Sequence, residues 1–411
     1  MYAAHSPAYS CNPATDFDMN PSDIYVVAAK RTPLGAFQGE LRTLTAVNLA
    51  ASAIRATLDQ SGLGAADIDE AIIGCVLPAG LGQAPARQAV LEAQLDKTTP
   101  SSTLNKVCGS GLKAVMLGHD LIRAGSATTV LAGGMESMSN APYLLPKARD
   151  GYRMGHQEVF DHMFYDGLQS PYDGQMMGHF AEMTAKRYEF SRGAQDDFAI
   201  ASVSRAQDAA GSGRFDDELT SVTITSRRGE RTVDADEVPQ KADIERIPTL
   251  RPAFAKDGTV TAASSSSIAD GAATLLLMSG EEVQERGVTP LARILGHSGF
   301  AQEPEWFTTA PIGAIRTLLK QLSASASDID CYEINEAFAV VTMAAMHDLG
   351  LEHDRVNVNG GACALGHPIG ATGARILVTL INALRQRGGG RGIASLCLGG
   401  GEGVAVGIEV D

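Results

Sequence analysis

Ile24–Ala28 is an unbroken apolar run, the pattern of a strand buried on both faces. From Thr45 to Ser61 the apolar positions recur at helical spacing and stop at Gly62, which predicts a helix with a glycine at its end. Asp67-Ile68-Asp69 leads into a strand-like run, Glu70–Leu77, and Leu112–Ile122 returns to helical spacing. The same order recurs further on. Leu291–Leu295 reads as a strand, Ile312–Leu322 as a helix, and Asp328-Ile329-Asp330 leads into the strand Cys331–Ile334. Strands alternating with helices predict an α/β fold with largely parallel sheets.

The repetition extends to the special residues. After the first Asp-Ile-Asp comes Asn105-Lys106-Val107-Cys108-Gly109-Ser110-Gly111 and a helix. After the second come Asn359-Gly360-Gly361, then Gly366-His367-Pro368 and a helix, with His367 at nearly the offset of Cys108. Each half closes on a glycine-rich turn, Leu131-Ala132-Gly133-Gly134 and Cys397-Leu398-Gly399-Gly400-Gly401. Two similar halves related by a pseudo-twofold axis would bring the Cys108 and His367 turns together. Residues 140–268 break the pattern with many Met, Tyr, Asp and Gln residues. They read as a loop domain inserted in the first half, which returns through Ser264–Ser267 to a strand at Thr274–Met278. The expected organisation is an N-terminal tail (1–22), a first half (23–289) containing the insertion, and a second half (290–411).

Composition narrows the function. A formal charge of −15 argues against a nucleic-acid binder, which needs a basic footprint. No apolar run is long enough to span a membrane. The tail has no Lys or Arg, so neither a secretory nor a mitochondrial leader is expected there. The six cysteines form no Cys-x-x-Cys pair and no compact disulfide framework, which favours a reducing, cytoplasmic setting. There is no Gly-x-Gly-x-x-Gly after a strand and no Gly-Lys-Ser/Thr loop; Gly82-Gln83-Ala84-Pro85 is only a polar turn opening a helix.

Cys108 stands ahead of a helix, where the dipole favours a thiolate, and the small residues after it leave room for a substrate. A buried structural cysteine fits the same pattern equally well. His367, between glycines, can serve as the base for a thiol, or simply cap a turn. Cys397 precedes three glycines whose N–H groups can bind an oxyanion; a small core residue before a turn is the plainer reading. Asn335-Glu336 ends a strand and is read first as a helix cap. Two cysteines with one histidine suit a reaction that needs both acyl capture and proton abstraction.

Together these segments resemble the thiolase family over nearly the whole chain, from about Ile24 to Glu409. The motifs are Asn-Lys-Val-Cys108-Gly-Ser-Gly, Asn335-Glu-Ala-Phe, Asn-Gly-Gly-Ala-Cys-Ala-Leu-Gly-His367-Pro-Ile-Gly-Ala-Thr-Gly and Cys397-Leu-Gly-Gly-Gly. The resemblance implies a five-layered αβαβα fold of two similar halves with an inserted loop domain. It implies condensation of two acetyl-CoA molecules to acetoacetyl-CoA, and the reverse thiolysis, by a ping-pong route. Cys108, activated by His367, carries the acyl group and Cys397 removes the α-proton of the second thioester. The N–H groups of Cys108 and Gly399 form one oxyanion site; His367 and a water held by Asn335 form the other. No metal or organic cofactor is expected, coenzyme A thioesters being the substrates. The pantetheine arm is placed beside Ser266, Leu168, Met177, Phe254 and Phe338, and a homodimer or homotetramer is implied.

The chain also departs from the family pattern. Cys363 replaces an aliphatic residue and is expected to pack. Met176-Met177-Gly178 stands where biosynthetic members often have His-Met-Gly, which leaves open a broader 3-ketoacyl-CoA thiolase of fatty-acid or aromatic degradation. Lys241 stands where many members carry an arginine near the nucleotide end, and can meet a phosphate as a point charge. A ketoacyl synthase acting on carrier-protein thioesters is the rival enzyme class. A lipid carrier or scaffold with a thiolase fold is the non-enzyme alternative.

Overall fold

The computed structural model describes residues 20–227 and 229–411. The expected N-terminal tail falls mostly outside these residues, as do Cys11 and Arg228 of the basic run at 227–231.

Nine strands form the continuous path of one ten-stranded mixed sheet: β1 (Ile24–Arg31), β2 (Glu70–Gly74), β3 (Ser101–Leu104), β4 (Thr129–Ser137), β5 (Ala269–Ser279), β6 (Ala292–Ala301), β7 (Cys331–Ile334), β8 (Gly390–Leu398) and β9 (Glu402–Val410). Their order is β7-β8-β9-β6-β1-β5-β4-β2-β3, and the short strand Gly35–Ala36 pairs with β5 beside this path. Seven helices matter for the site and its support: α1 (Ala46–Ser61), α2 (Ser110–Arg123), α3 (Met177–Arg187), α4 (Arg192–Gly211), α5 (Ala310–Gln321), α6 (Ala339–Leu349) and α7 (Thr372–Gln386).

The order is a mirror about the β1–β6 contact. One side runs β1, β5, β4, β2, β3; the other runs β6, β9, β8, β7, then a parallel bridge from Tyr332 to Val356 in the place of β3. The expectation of largely parallel pairing fails. Only β2–β3, β2–β4 and β7–β8 are parallel, while the pairs from β4 through β1 and β6 to β8 are antiparallel. The reason is visible at the glycines 399–401. They close a hairpin between β8 and β9, and a hairpin makes antiparallel neighbours.

Alternation along the strands builds the layers. Ile24 and Val26 of β1 and Val404, Val406 and Ile408 of β9 point to a central core with α2 and α7. Tyr25 and Val27 face the opposite way, against α1, and Ala405 faces α5. Helix, sheet, paired helices, sheet, helix is a five-layered arrangement. α7 is buried on every side from Thr372 to Leu384, as expected for the helix at the centre. α1 ends as its sequence requires, with Thr45 accepting from the Asn48 N–H at one end and Gly62 at φ 70° at the other.

The excursion between β4 and β5 carries α3 and α4 and is tied back by a buried ion cluster. Arg31 at the end of β1 meets Glu218 at 2.5 Å and Asp236 at 2.7 Å, and Glu218 also accepts from Thr379 and Asn382 of α7. Arg31 is fully buried, and this pairing offsets the cost of taking its charge out of water.

Candidate active site

Cys108 sits on the turn between β3 and α2, and its neighbours set the shape of that turn. Asn105 Oδ1 accepts from the Val107 N–H at 2.9 Å. Ser110 Oγ accepts from the Lys106 N–H at 2.8 Å and donates to the Val107 carbonyl at 2.6 Å. These bonds hold Val107 at φ 49°, a conformation foreign to β-branched residues, at a cost on the order of 1–3 kcal/mol. The Cys108 side chain is half-buried and packs on the cluster of Val76, Leu77, Met138, Met163 and Ile369. The last of these lies two residues beyond His367.

The glycines after Cys108 serve packing rather than substrate approach. A Cβ on Gly111 would stand 2.7 Å from Ala374 N, and one on Gly373 would stand 2.4 Å from Leu112 N. Each is the second residue of its helix, so α2 and α7 meet start to start through matching glycines. This contact brings the two special turns together, as the repeat predicted.

Burial pushes the Cys108 thiol up to about 12, against the downward pull of the N–H groups of Cys108 itself and Gly399. The helix start was expected to favour a thiolate, but desolvation outweighs it. The resting group is therefore a thiol and needs a base.

His367 supplies a suitable one. Its ring is buried, and burial, with a smaller contribution from Arg375, lowers its pKa to about 3. The imidazole is thus neutral. Nδ1 lies 2.6 Å from Thr372 Oγ1, and Thr372 Oγ1 donates to the Pro368 carbonyl at 2.9 Å. A hydroxyl has one proton. With that proton on Pro368, Thr372 accepts from His367 Nδ1–H, which leaves the lone pair on Nε2. Nε2 has no partner among the described residues, and His367 lines a cavity. The loop is held from the other half by Glu136 of β4, whose carboxylate accepts from the N–H groups of Gly370, Val76 and Leu77.

Cys397, near the end of β8, is fully buried among Phe180, Phe307, Ala337, Phe338 and Val340. Burial first, and then the neighbouring Cys108, raise its thiol well above the ordinary range. Asn335 follows β7 and is buried, with its N–H donating to the Ser395 carbonyl at 3.0 Å and neither side-chain polar atom meeting a partner among the described residues.

Capping, the first reading of Asn335-Glu336, does not hold. α6 begins only at Ala339 and has no side-chain cap. Glu336 is instead a buried hub, accepting from Ser202 Oγ at 2.7 Å, Asn357 Nδ2 at 2.8 Å and the Cys363 N–H at 3.0 Å. Cys363 is buried and packs, as expected.

A cavity of about 180 Å³ opens beside His367, and Leu168, Met177, Phe254, Ser266 and Phe338 line it together with Met176. A second cleft of about 320 Å³ shares Met177 and reaches Val107, Gly399 and Gly400. Lys241 reaches neither: it is exposed and paired with Glu237 at 2.5 Å. That pairing removes the free charge from which a phosphate contact was expected. Thr372 and Glu136 were not singled out from sequence. The signals were there, in a threonine opening the helix after Gly-His-Pro and in an acid at the end of an apolar strand.

Two family models cover nearly all of this architecture, the thiolase N-terminal domain over residues 24–281 and the thiolase C-terminal domain over residues 288–410. The chain belongs to the thiolase family. Among curated thiolases, it is 47% identical over 391 residues to an acetyl-CoA acetyltransferase of Pseudomonas aeruginosa, covering 95% of this chain and 100% of that protein. It is 46% identical over 389 residues to one from Chromobacterium violaceum, covering 94% and 99%. A crystal structure of a thiolase from Ascaris suum in complex with coenzyme A superposes with a TM-score of 0.90 at 41% identity, covering 95% of this chain and 100% of that one. This thiolase is an acyltransferase. No helix among its described residues is long and apolar enough to cross a membrane.

Proposed function

We propose that the chain is an acetyl-CoA C-acetyltransferase, condensing two acetyl-CoA molecules to acetoacetyl-CoA and catalysing the reverse thiolysis. One observation supports the mechanism: a neutral imidazole, whose Nε2 meets no partner among the described residues, lines a cavity together with Met138 and Ile369, and those two belong to the cluster on which Cys108 packs. His367 Nε2 takes the Cys108 proton, and the thiolate attacks the first thioester. The N–H groups of Cys108 and Gly399, both directed at the sulfur, receive the oxyanion. The proton held by His367 leaves with coenzyme A. Cys397 gives its proton to His367, neutral again once coenzyme A has left; the resulting thiolate takes the α-proton of the second acetyl-CoA, the carbanion attacks the acyl-Cys108 carbonyl, and the Cys108 thiolate that this releases recovers the proton from His367. Asn335, buried with unpartnered polar atoms, is suited to hold a water against the second thioester oxygen. Neither step calls for a metal or an organic cofactor.

Ser266, Leu168, Met177, Phe254 and Phe338 are the candidate contacts of the pantetheine arm, apolar side chains with the hydroxyl of Ser266, flanked by Ser265 and Ser267 on the same wall. Lys241 is retained only as a peripheral phosphate contact that would first have to release Glu237. Free cysteines at positions 75, 108, 331, 363 and 397 suit a cytoplasmic setting, and a homodimer or homotetramer is the expected assembly.

The deciding experiment is mass spectrometry after incubation with acetoacetyl-CoA. An acetyl adduct on Cys108 is expected, absent in Cys108→Ala; an undiminished adduct on the variant removes Cys108 from the role. One feature favours a second reading. Met176 adds an apolar side chain to the cavity wall, which suits longer acyl groups. Thiolysis rates of 3-ketoacyl-CoAs of increasing length separate the two: a sharp fall beyond four carbons supports the acetoacetyl assignment, and a flat profile supports the broader enzyme.

A further inference from the structure

His119 and Asp120 are consecutive on α2, and His297 stands on β6 of the other half. None takes part in the chemistry above, and helix rise puts His119 roughly 14 Å along α2 from the Cys108 turn. The three side chains converge. Asp120 Oδ1 lies 2.8 Å from His297 Nε2 and 3.2 Å from His119 Nδ1, and the two rings stand edge to face with centroids 5.0 Å apart. One ligand atom from each residue lies within 4.8 Å of the other two. Donors on a tetrahedral zinc, with bonds of about 2.0–2.1 Å, sit roughly 3.3 Å apart. Only a small closure separates the arrangement from a coordination shell.

The two rings are fixed by packing, with side-chain exposures of 16% and 18%, whereas Asp120 is 50% exposed. An ion would enter from the carboxylate side, and a water or small ligand would complete the shell there. A hydrogen bond from His297 alone would satisfy Asp120. The second imidazole, turned to the same oxygen, makes a set of two nitrogens and one oxygen. The donor set of two imidazole nitrogens and one carboxylate oxygen favours nitrogen-seeking ions. Asp120 is the one carboxylate of the set, Arg123 follows on the same helix, and Lys113 borders the groove that His297 lines, as does Lys106, which is paired with Glu402. Hard cations such as calcium or magnesium need more oxygen ligands than this.

We propose that His119, Asp120 and His297 form a site for a borderline divalent cation of the zinc class, which clamps α2 of the first half to β6 of the second. Each ring binds through the nitrogen now facing Asp120, and its proton moves to the other ring nitrogen. The site is separate from acyl transfer and does not depend on the substrate assignment.

The test uses the full chain, stripped with a chelator and titrated with zinc chloride by calorimetry, with bound metal counted after dialysis. Cys108 and Cys397 are competing ligands, so the titration is repeated in a Cys108→Ser/Cys397→Ser background. The expected result there is one zinc per chain, weakened about tenfold or more by His119→Ala and by His297→Ala. Asp120→Asn keeps the shape if either histidine variant folds poorly, and is expected to weaken zinc by a similar factor while leaving the metal-free Tm unchanged. Cobalt(II) should give d–d bands without thiolate charge transfer, and zinc should raise the Tm of the parent but not of His297→Ala. Zinc that disappears with the two cysteines, or that binds the histidine and Asp120 variants as tightly as the parent, overturns the site.

Discussion

Replacing Thr372 by valine keeps a β-branched side chain of similar shape at the start of α7 and removes one hydroxyl. That hydroxyl is the link between His367 Nδ1, at 2.6 Å, and the Pro368 carbonyl, at 2.9 Å. Without it, Nδ1–H has no acceptor on this side of a buried ring, and the tautomer with its proton on Nε2 gains ground. That tautomer cannot accept the Cys108 proton. An unsatisfied buried donor costs about 1–3 kcal/mol, which corresponds to a fall of roughly 5- to 150-fold in the acylation rate. The reading is best taken from single-turnover acylation by acetoacetyl-CoA in a stopped-flow or quenched-flow experiment, alongside the pH profile of Cys108 alkylation by iodoacetamide. Valine should slow acylation with little change in KM and shift alkylation to higher pH. Serine, which keeps the hydroxyl, should restore both. Acylation within twofold of the parent in Thr372→Val, or a serine variant as slow as the valine one, would refute the tautomer argument.

Cys397→Ala should still form the acetyl-Cys108 adduct but lose condensation by orders of magnitude; near-normal condensation sinks the proton-abstraction role. Arg31→Met leaves Glu218 and Asp236 buried without their cation, so a loss of about 3–5 kcal/mol in urea-unfolding stability is expected, and a variant as stable as the parent would show the cluster to be incidental. His367 is held neutral with its pKa lowered to about 3, whereas an unfolded chain takes up a proton near pH 6.5. The unfolded state therefore binds more protons between those values. This histidine's contribution to stability is present above pH 6.5 and is lost as pH falls toward 3, by about 5 kcal/mol in full. His367→Asn should flatten that part of the stability–pH curve, and an unchanged slope would place the dependence elsewhere.

Much of this molecule is written in local pattern. Thr45 and Gly62 announce the ends of α1, and Cys331–Ile334 coincides with β7, because caps and short apolar runs act within a few residues. The meeting of the Cys108 and His367 turns was legible from the duplicated order of motifs. Strand direction was not, since it depends on which distant segments pair, and the sequence of strands and helices is compatible with several answers. Glu336 misled for a similar reason. Its position after a strand resembles a cap, yet its partners Ser202, Asn357 and Cys363 come from remote segments. Lys241 has the charge a phosphate would want, but the nearby Glu237 claims it. His119 and His297 lie far apart in sequence, and only the fold places them around one carboxylate.

The matching glycines at the starts of α2 and α7 carry a consequence for the history and handling of the chain. Once each half had given up a side chain to admit the other's helix, neither could return to a life alone. Its central helix would face water where it now faces its counterpart. A protease that cut between residues 281 and 288 would sever the connection but leave the two pieces interlocked, joined by a shared interior and by the β1–β6 seam. The active site belongs to that interlock. The two similar halves form an obligate pair within a single polypeptide, with Cys108 contributed by one and His367 by the other.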